Sequence, residues 1–262
     1  MFLARVKRSL DARVVARLKL AWLWLEWQAF KLRTSKGASE ALTSTPTKTE
    51  GERVNAAKKE ALLVQTLVQE FSARKGGKFL EVGVGAWPNI ERLRLLNRIN
   101  VQYSGCDVVD ICARHRRHVL ASAPELSEIR FLPNDCGTYA WTLFALMQAG
   151  EVFDVVYLDG HHTIYVDLPA FTILHFLLAP GGCLIVDDVQ WTLAFLRRNM
   201  MRFFGEWIHY HQLYDYTQYS QDQQRRPHIG MIVERLMIER LHYELIESVS
   251  SPAVSVLRKP FP

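Results

Sequence analysis

The stretch Phe79-Leu80-Glu81-Val82-Gly83-Val84-Gly85 decides the fold. Its apolar run reads as a strand buried on both faces, and the run ends abruptly in a glycine turn. Glycines at such a turn let the backbone approach a ligand closely. In an open α/β sheet, ligands sit beyond the carboxyl ends of the strands, where the strand order reverses. A dinucleotide fingerprint would need a third glycine at position 88, where Pro88 stands. A nicotinamide site is therefore poorly supported, and no GxxxxGK[ST] phosphate loop exists.

Outward from this turn, strands and helices alternate. Lys78–Val84, Gln102–Asp107, Glu128–Leu132, Phe153–Asp159 and Cys183–Asp187 read as strands. Asn89–Arg98, Ile111–Ala121, Thr138–Ala149, Tyr165–Leu178 and Trp191–Phe204 read as helices. The rhythm predicts a Rossmann-like, doubly wound α/β fold with a mostly parallel seven-stranded sheet. Two later stretches, Trp207–Tyr216 and His228–Glu234, read as an antiparallel pair closing the sheet edge. The tail from Val254 to Pro262 carries no readable function.

Upstream, residues 53–74 have helical periodicity, and Gly76-Gly77 end them. Residues 34–52 read as a Ser/Thr-rich linker. Residues 1–33 read as an N-terminal helical arm, with Leu3, Val6, Leu10, Val14, Leu18, Ala21 and Leu25 on one stripe. Trp22, Trp24, Trp27 and Phe30 widen the stripe and basic side chains flank it. Such an arm suits membrane-surface contact, with indoles at the headgroup level, or packing on its own domain or on a second copy in a homo-oligomer. The domain proper spans residues 53–262.

Composition narrows the function classes. Hydrophobic residues make up 49% and charged residues 23% of the 262, an ordinary globular balance. The net charge is +5, but residues 1–36 hold nine Lys/Arg against Asp11 and Glu26, which leaves the rest at −2. The folded domain thus gains no support as a nucleic-acid binder. Cys106, Cys112, Cys136 and Cys183 form no CxxC pair and read as reduced thiols in a cytoplasm-like compartment. No uninterrupted apolar stretch of about 18 residues suggests a transmembrane helix.

Acidic residues fall at the strand ends. Asp107 closes Gly105-Cys106-Asp107 about twenty residues after the glycine turn, where a carboxylate can pair with both ribose hydroxyls. It can equally cap the next helix. Asn134-Asp135 follows the third strand, where an Asx turn is as good a reading as a ligand contact. Asp159 ends the fourth strand, and Asp187 and Asp188 end the fifth. Parallel neighbours place these three ends side by side, and converging carboxylates repel unless a cation compensates. A hard divalent ion such as Mg²⁺ prefers oxygen ligands of this kind. The alternative is that Asp187-Asp188 cap the Trp191 helix and Asp159 caps a turn.

The segment Glu81–Gly85 resembles the E/DxGxG signature of class I S-adenosylmethionine-dependent methyltransferases, with Trp87 at their usual third glycine. The blocks Asp159-Gly160-His161-His162 and Leu178-Ala179-Pro180-Gly181-Gly182, with Asp187-Asp188, resemble the DGxH and LxPGGxxxxDD pattern of metal-dependent O-methyltransferases acting on sugar hydroxyls. Together the resemblance spans about residues 78–190. It implies S-adenosylmethionine as cofactor, facing Glu81, Gly83, Gly85, Asp107 and Asp135. It also implies Mg²⁺ on Asp159, Asp187 and Asp188, with His162 as catalytic base and His161 as its stand-in. Where the pattern has a tyrosine two residues after the histidine, this sequence has Ile164, and Tyr165 follows. The implied partner is a hydroxylated small molecule. A metal-independent methyltransferase and a non-catalytic scaffold or membrane-docked protein of the same fold are the competing expectations. Arg114-His115-Arg116-Arg117-His118 reads as a solvated charge run.

Overall fold

The computed structural model describes residues 21, 22, 24, 25, 28, 50–85, 88–134, 138–200 and 218–262, with backbone alone for 50–56 and 197–200. By contact the chain divides into two compact units, residues 1–49 with 194–224, and residues 50–193 with 225–262. Residues 21, 22, 24, 25 and 28 are helical. The rest of the arm, the linker up to residue 49 and Trp207–Tyr216 lie outside the described residues. Among the described residues, no helix is long and apolar enough to cross a membrane.

The larger unit carries the sheet. Its elements run α1 (Glu50–Arg74), β1 (Gly77–Val82), α2 (Ile90–Arg98), β2 (Val101–Val108), α3 (Val109–Ser122), β3 (Arg130–Asn134), α4 (Tyr139–Gln148), β4 (Phe153–Leu158), α5 (Ile164–Leu177) and β5 (Leu178–Val186). A helix α6 (Leu193–Met200) begins at the boundary between units, and α7 (Gln221–Gln224) belongs to the smaller one. The larger unit ends with α8 (His228–Ile232), β6 (Glu244–Leu245) and β7 (Ser255–Arg258). The seven strands are ordered β3-β2-β1-β4-β5-β7-β6. β1 to β5 pair in parallel, and β7 runs antiparallel to both β5 and β6. This is the doubly wound α/β sheet with an antiparallel edge that the sequence predicts.

The period-2 alternation of strand side chains supplies both cores. Leu80, Val82, Val156, Leu158, Leu184 and Val186 face one side, with Leu143 of α4, Phe171 and Leu174 of α5 and Ile229 of α8. Phe79, Val155, Cys183 and Ile185 face the other, with Leu67 and Phe71 of α1, Leu93 and Leu96 of α2 and Cys112 and Val119 of α3. Asn89 caps α2, its side chain accepting from the Arg92 amide at 3.1 Å. Cys106, Cys112 and Cys183 are free and buried.

One expected strand is helical. His228–Glu234 forms α8 and the start of a wider π-turn over Val233–Ile238. Ile229, Ile232, Val233 and Met237 all enter the core, a spacing of three, four and eight residues that belongs to a helix face. The antiparallel edge is made instead by β6 and β7. The tail therefore supplies a strand whose Val256 and Leu257 are fully buried.

Candidate functional site

The strand register builds the site. Val82 pairs with Cys106 on one side and with Leu158 on the other, and Leu158 pairs with Val186. One residue further, Gly83, Asp159 and Asp187 continue these ladders. The Gly83 amide donates to the Cys106 carbonyl at 2.9 Å, Asp159 N to Val82 O at 2.9 Å, and Asp187 N to Leu158 O at 3.0 Å. The residues leaving β1, β4 and β5 therefore stand in a row at the carboxyl edge, beside Asp107 of β2. The strand order reverses at β1, so the row lies at the switch point where such sheets bind ligands.

The glycine turn needs its glycines for different reasons. Gly83 has φ +84°, and an added Cβ would lie 2.9 Å from the Asp159 carbonyl carbon and closer still to its oxygen. Gly85 has φ +73°, and among the described residues an added Cβ would meet nothing within 4 Å. His115 of α3 fixes the turn from beneath, with Nε2 3.1 Å from the Gly85 carbonyl oxygen. His115 is buried against the edge of Phe131, whereas Arg116 and Arg117 of the same helix are exposed. The run 114–118 is thus solvated only in part. Asp107 accepts from the Val108 amide at 2.7 Å. Burial raises its pKa, against the pull of the Val108, Gly85 and Val84 amides.

Glu81 is engaged inside the sheet, one residue before Val82. Its carboxylate is buried, with Oε1 2.5 Å from Arg92 Nη2 and Oε2 accepting from the Tyr103 hydroxyl at 2.7 Å. Arg92 also reaches Glu60 at 2.9 Å. Glu81 therefore ties β1 to α2 and β2. Asp135 and Trp87 lie outside the described residues.

The structure brings Asp159, His162, Asp187 and Asp188 together. Ligand atoms of Asp159, His162 and Asp188 lie within 4.8 Å of one another. Mg²⁺–oxygen bonds of about 2.1 Å would set opposite ligands about 4.2 Å apart, so the Asp159 and Asp188 carboxylates at this spacing fit a hard divalent ion after small side-chain shifts, with the His162 imidazole beside them. Asp187 is the more engaged of the pair. It accepts from the Tyr157 hydroxyl at 2.8 Å, and from the Asp188 amide at 2.7 Å. Asp188 has φ +51°, and its carbonyl accepts from the Trp191 amide at 2.9 Å, a tight turn that aims its side chain beside Asp187.

Lys59 of α1 enters the same cluster. Its Nζ lies 2.7 Å from Asp187 Oδ1 and in direct contact with Asp188 Oδ1. Burial pulls the Lys59 pKa down, but the hydrogen bonds to both carboxylates outweigh it and leave it raised. The carboxylates are under strain of their own. Burial and the neighbouring Asp187 push Asp188 up to about 7. Burial, then Asp187 and Asp188, hold Asp159 well above the usual carboxylate range. One ammonium does not balance three acids in this space.

His162 is buried, with φ +62° and Nε2 3.6 Å from Asp159 Oδ1. Its ring packs on Trp191 at 5.0 Å between centroids, and its Nδ1 finds no hydrogen-bond partner among the described residues. Burial lowers its pKa to about 4, so the imidazole is neutral at neutral pH. His161 points differently, with Nδ1 3.1 Å from Thr163 Oγ1. The loop carrying both histidines is held by Asp167, fully buried in the first turns of α5. Its carboxylate accepts from Thr163 N at 2.8 Å, from His161 N at 3.2 Å and from the Tyr139 hydroxyl. A Cβ at Gly160 would overlap that carboxylate and lie 2.5 Å from the Tyr139 oxygen. The glycine of the Asp-Gly-His-His motif is thus dictated by Asp167.

No protein-family model matches the chain, and no curated protein matches it. Similar solved structures include the MycE methyltransferase of the mycinamycin biosynthetic pathway, in complex with Mg, SAH and mycinamycin VI, at 18% identity and a TM-score of 0.48. That match covers 75% of this chain and 49% of the other, so the chain spans about half of that protein. A Staphylococcus aureus protein assigned as a caffeoyl-CoA O-methyltransferase matches at 14% identity over 92% of this chain and 99% of its own, with a TM-score of 0.48. An O-methyltransferase from Bacillus cereus in complex with SAH matches at 17% identity over 83% and 94%, again with a TM-score of 0.48.

Lys59, Tyr157, Asp167 and His115 are the site residues that sequence reasoning passed over. Asp167 had a signal, an acid four residues after Thr163 at a helix start. Lys59 had none, because its partners lie more than a hundred residues away.

Proposed function

We propose that the larger unit is an S-adenosylmethionine-dependent methyltransferase that methylates a hydroxyl of a sugar or other small molecule, assisted by a divalent cation, Mg²⁺ by its ligand chemistry. The observation that carries this reading is the convergence of Asp159, Asp188 and His162 beyond the ends of β4 and β5, next to the glycine turn of β1. Gly83 would let the turn pass close to β4, Gly85 would leave backbone room for the cofactor, and Asp107 would take its ribose hydroxyls. Asp159 and Asp188 would hold the ion, joined by Asp187. When bound, the ion supplies a Lewis acid that lowers the pKa of the acceptor hydroxyl. His162, neutral and beside Asp159, would accept the proton that the acceptor hydroxyl loses as its oxygen takes the methyl, the carbon–sulfur bond breaking to leave the cofactor as a neutral thioether. Asp167 would keep the histidine loop in place.

The test is transfer of labelled methyl from S-adenosylmethionine to a panel of vicinal diols, in Mg²⁺ and in EDTA. Transfer is expected in Mg²⁺ alone, with a rate roughly 100- to 10,000-fold lower for His162→Ala. Undiminished transfer in EDTA would remove the metal from the reading. An unchanged rate in His162→Ala would remove the base.

A further inference from the structure

We propose that Lys59 is a resident competitor of the divalent cation: its ammonium neutralises Asp187 and Asp188 and must leave them for the ion to enter. The inference rests on the metal reading above and concerns how that site is regulated. Lys59 Nζ touches Asp188, which is also one of the three residues able to meet on an ion. It is 2.7 Å from Asp187 Oδ1 as well. An ammonium in contact with Asp188 lies within a few ångströms of any ion bound there, and like charges at that separation repel strongly in a partly buried site. The two cations therefore exclude each other.

The residue type suits displacement. Lysine carries a compact charge on a flexible stem, unlike the planar fork of arginine, which would lock both carboxylates. The Lys59 side chain keeps 27% of its surface exposed, so it has a path to water. Its ammonium also lies 5.6 Å from the centre of the Trp191 ring, whose face offers a second cation-attracting position. That indole packs on His162, so the movement of Lys59 would be felt beside the base. Without Lys59 or an ion, Asp187 and Asp188 would face each other uncompensated. The lysine thus stabilises the ion-free site at the expense of ion affinity.

The experiment is calorimetric titration of Mn²⁺ into the full chain, with Lys59→Met, Lys59→Arg and Asp159→Asn variants, alongside thermal melts with and without Mn²⁺. Lys59→Met is expected to bind Mn²⁺ at least tenfold more tightly than the wild type. It should melt lower without the ion and regain the difference with it. Lys59→Arg, which keeps the charge, should bind no more tightly than the wild type. Equal affinity in wild type and Lys59→Met, with binding lost in Asp159→Asn, would leave the metal site standing and overturn the competition. Weaker binding in Lys59→Met would overturn it too, making the lysine a support for the site. No binding in any variant, Lys59→Met included, would overturn the metal reading itself, and the inference with it.

Discussion

Gly83→Ala is expected to cost about 3–5 kcal/mol of stability, at the upper end for single substitutions. Two effects add. At φ +84° an alanine is strained by about 1–2 kcal/mol. Its Cβ would also overlap the Asp159 carbonyl, which is backbone of the neighbouring strand and cannot rotate aside. β1 and β4 would have to part at their carboxyl ends, where Asp159 N holds Val82 O at 2.9 Å. A thermal melt followed by circular dichroism should show a drop of roughly 10 °C for a unit of this size. Gly85→Ala is the control. Its φ is similar, but its Cβ meets nothing within 4 Å among the described residues, so it should cost about 1–2 kcal/mol from strain. Equal losses for the two would contradict the close approach of β1 and β4.

Arg92→Ala is expected to cost about 3–5 kcal/mol, read as a lower midpoint of urea unfolding. The guanidinium is buried between Glu81 at 2.5 Å and Glu60 at 2.9 Å. Its removal strands the Glu81 carboxylate among Phe79, Tyr103 and the strands of the sheet centre. Pairing Arg92→Met with Glu81→Gln should recover a large part of the loss, because the amide still accepts from Tyr103 and carries no charge. A single Arg92→Ala variant as stable as the wild type would mean that the pair is not closed in solution. The experiment also separates two roles of Glu81. Its carboxylate ties β1 to α2 and β2, and the stability readout reports that tie alone.

The sheet was legible because its signal is local and repeated. Apolar runs such as Phe79–Val82 and Phe153–Leu158, each ending in glycine or aspartate, mark strands whose carboxyl ends face a ligand. Their parallel pairing then aligns Gly83, Asp159 and Asp187 without further information. The edge was less legible. His228–Glu234 is an apolar run too short for its period to speak clearly, and only the burial of Ile229, Ile232, Val233 and Met237 identifies the helix. β7 is four residues long and is stabilised by its partners more than by its own sequence.

The meeting of Asp159, Asp187 and Asp188 was legible because they directly follow strands of one parallel sheet. Lys59 was not, since a lone lysine on a charged helix looks solvated until the fold brings 187 and 188 to it. His115 was hidden in the same way, by a basic run whose buried face is set by β3 and the glycine turn. Glu81 shows the converse. A residue that the motif points toward the cofactor also ties the strands, through Arg92 and Tyr103, and no local pattern shows those partners.

The most direct measurement is a calorimetric titration of S-adenosylmethionine into the 262-residue chain, in Mg²⁺ and in EDTA, with Asp107→Ala in parallel. The account predicts one site of micromolar affinity, weakened at least tenfold in Asp107→Ala because the ribose hydroxyls lose their acceptor. No binding by the wild type in either buffer would contradict it, leaving the glycine turn and the row of acids as features of the fold alone.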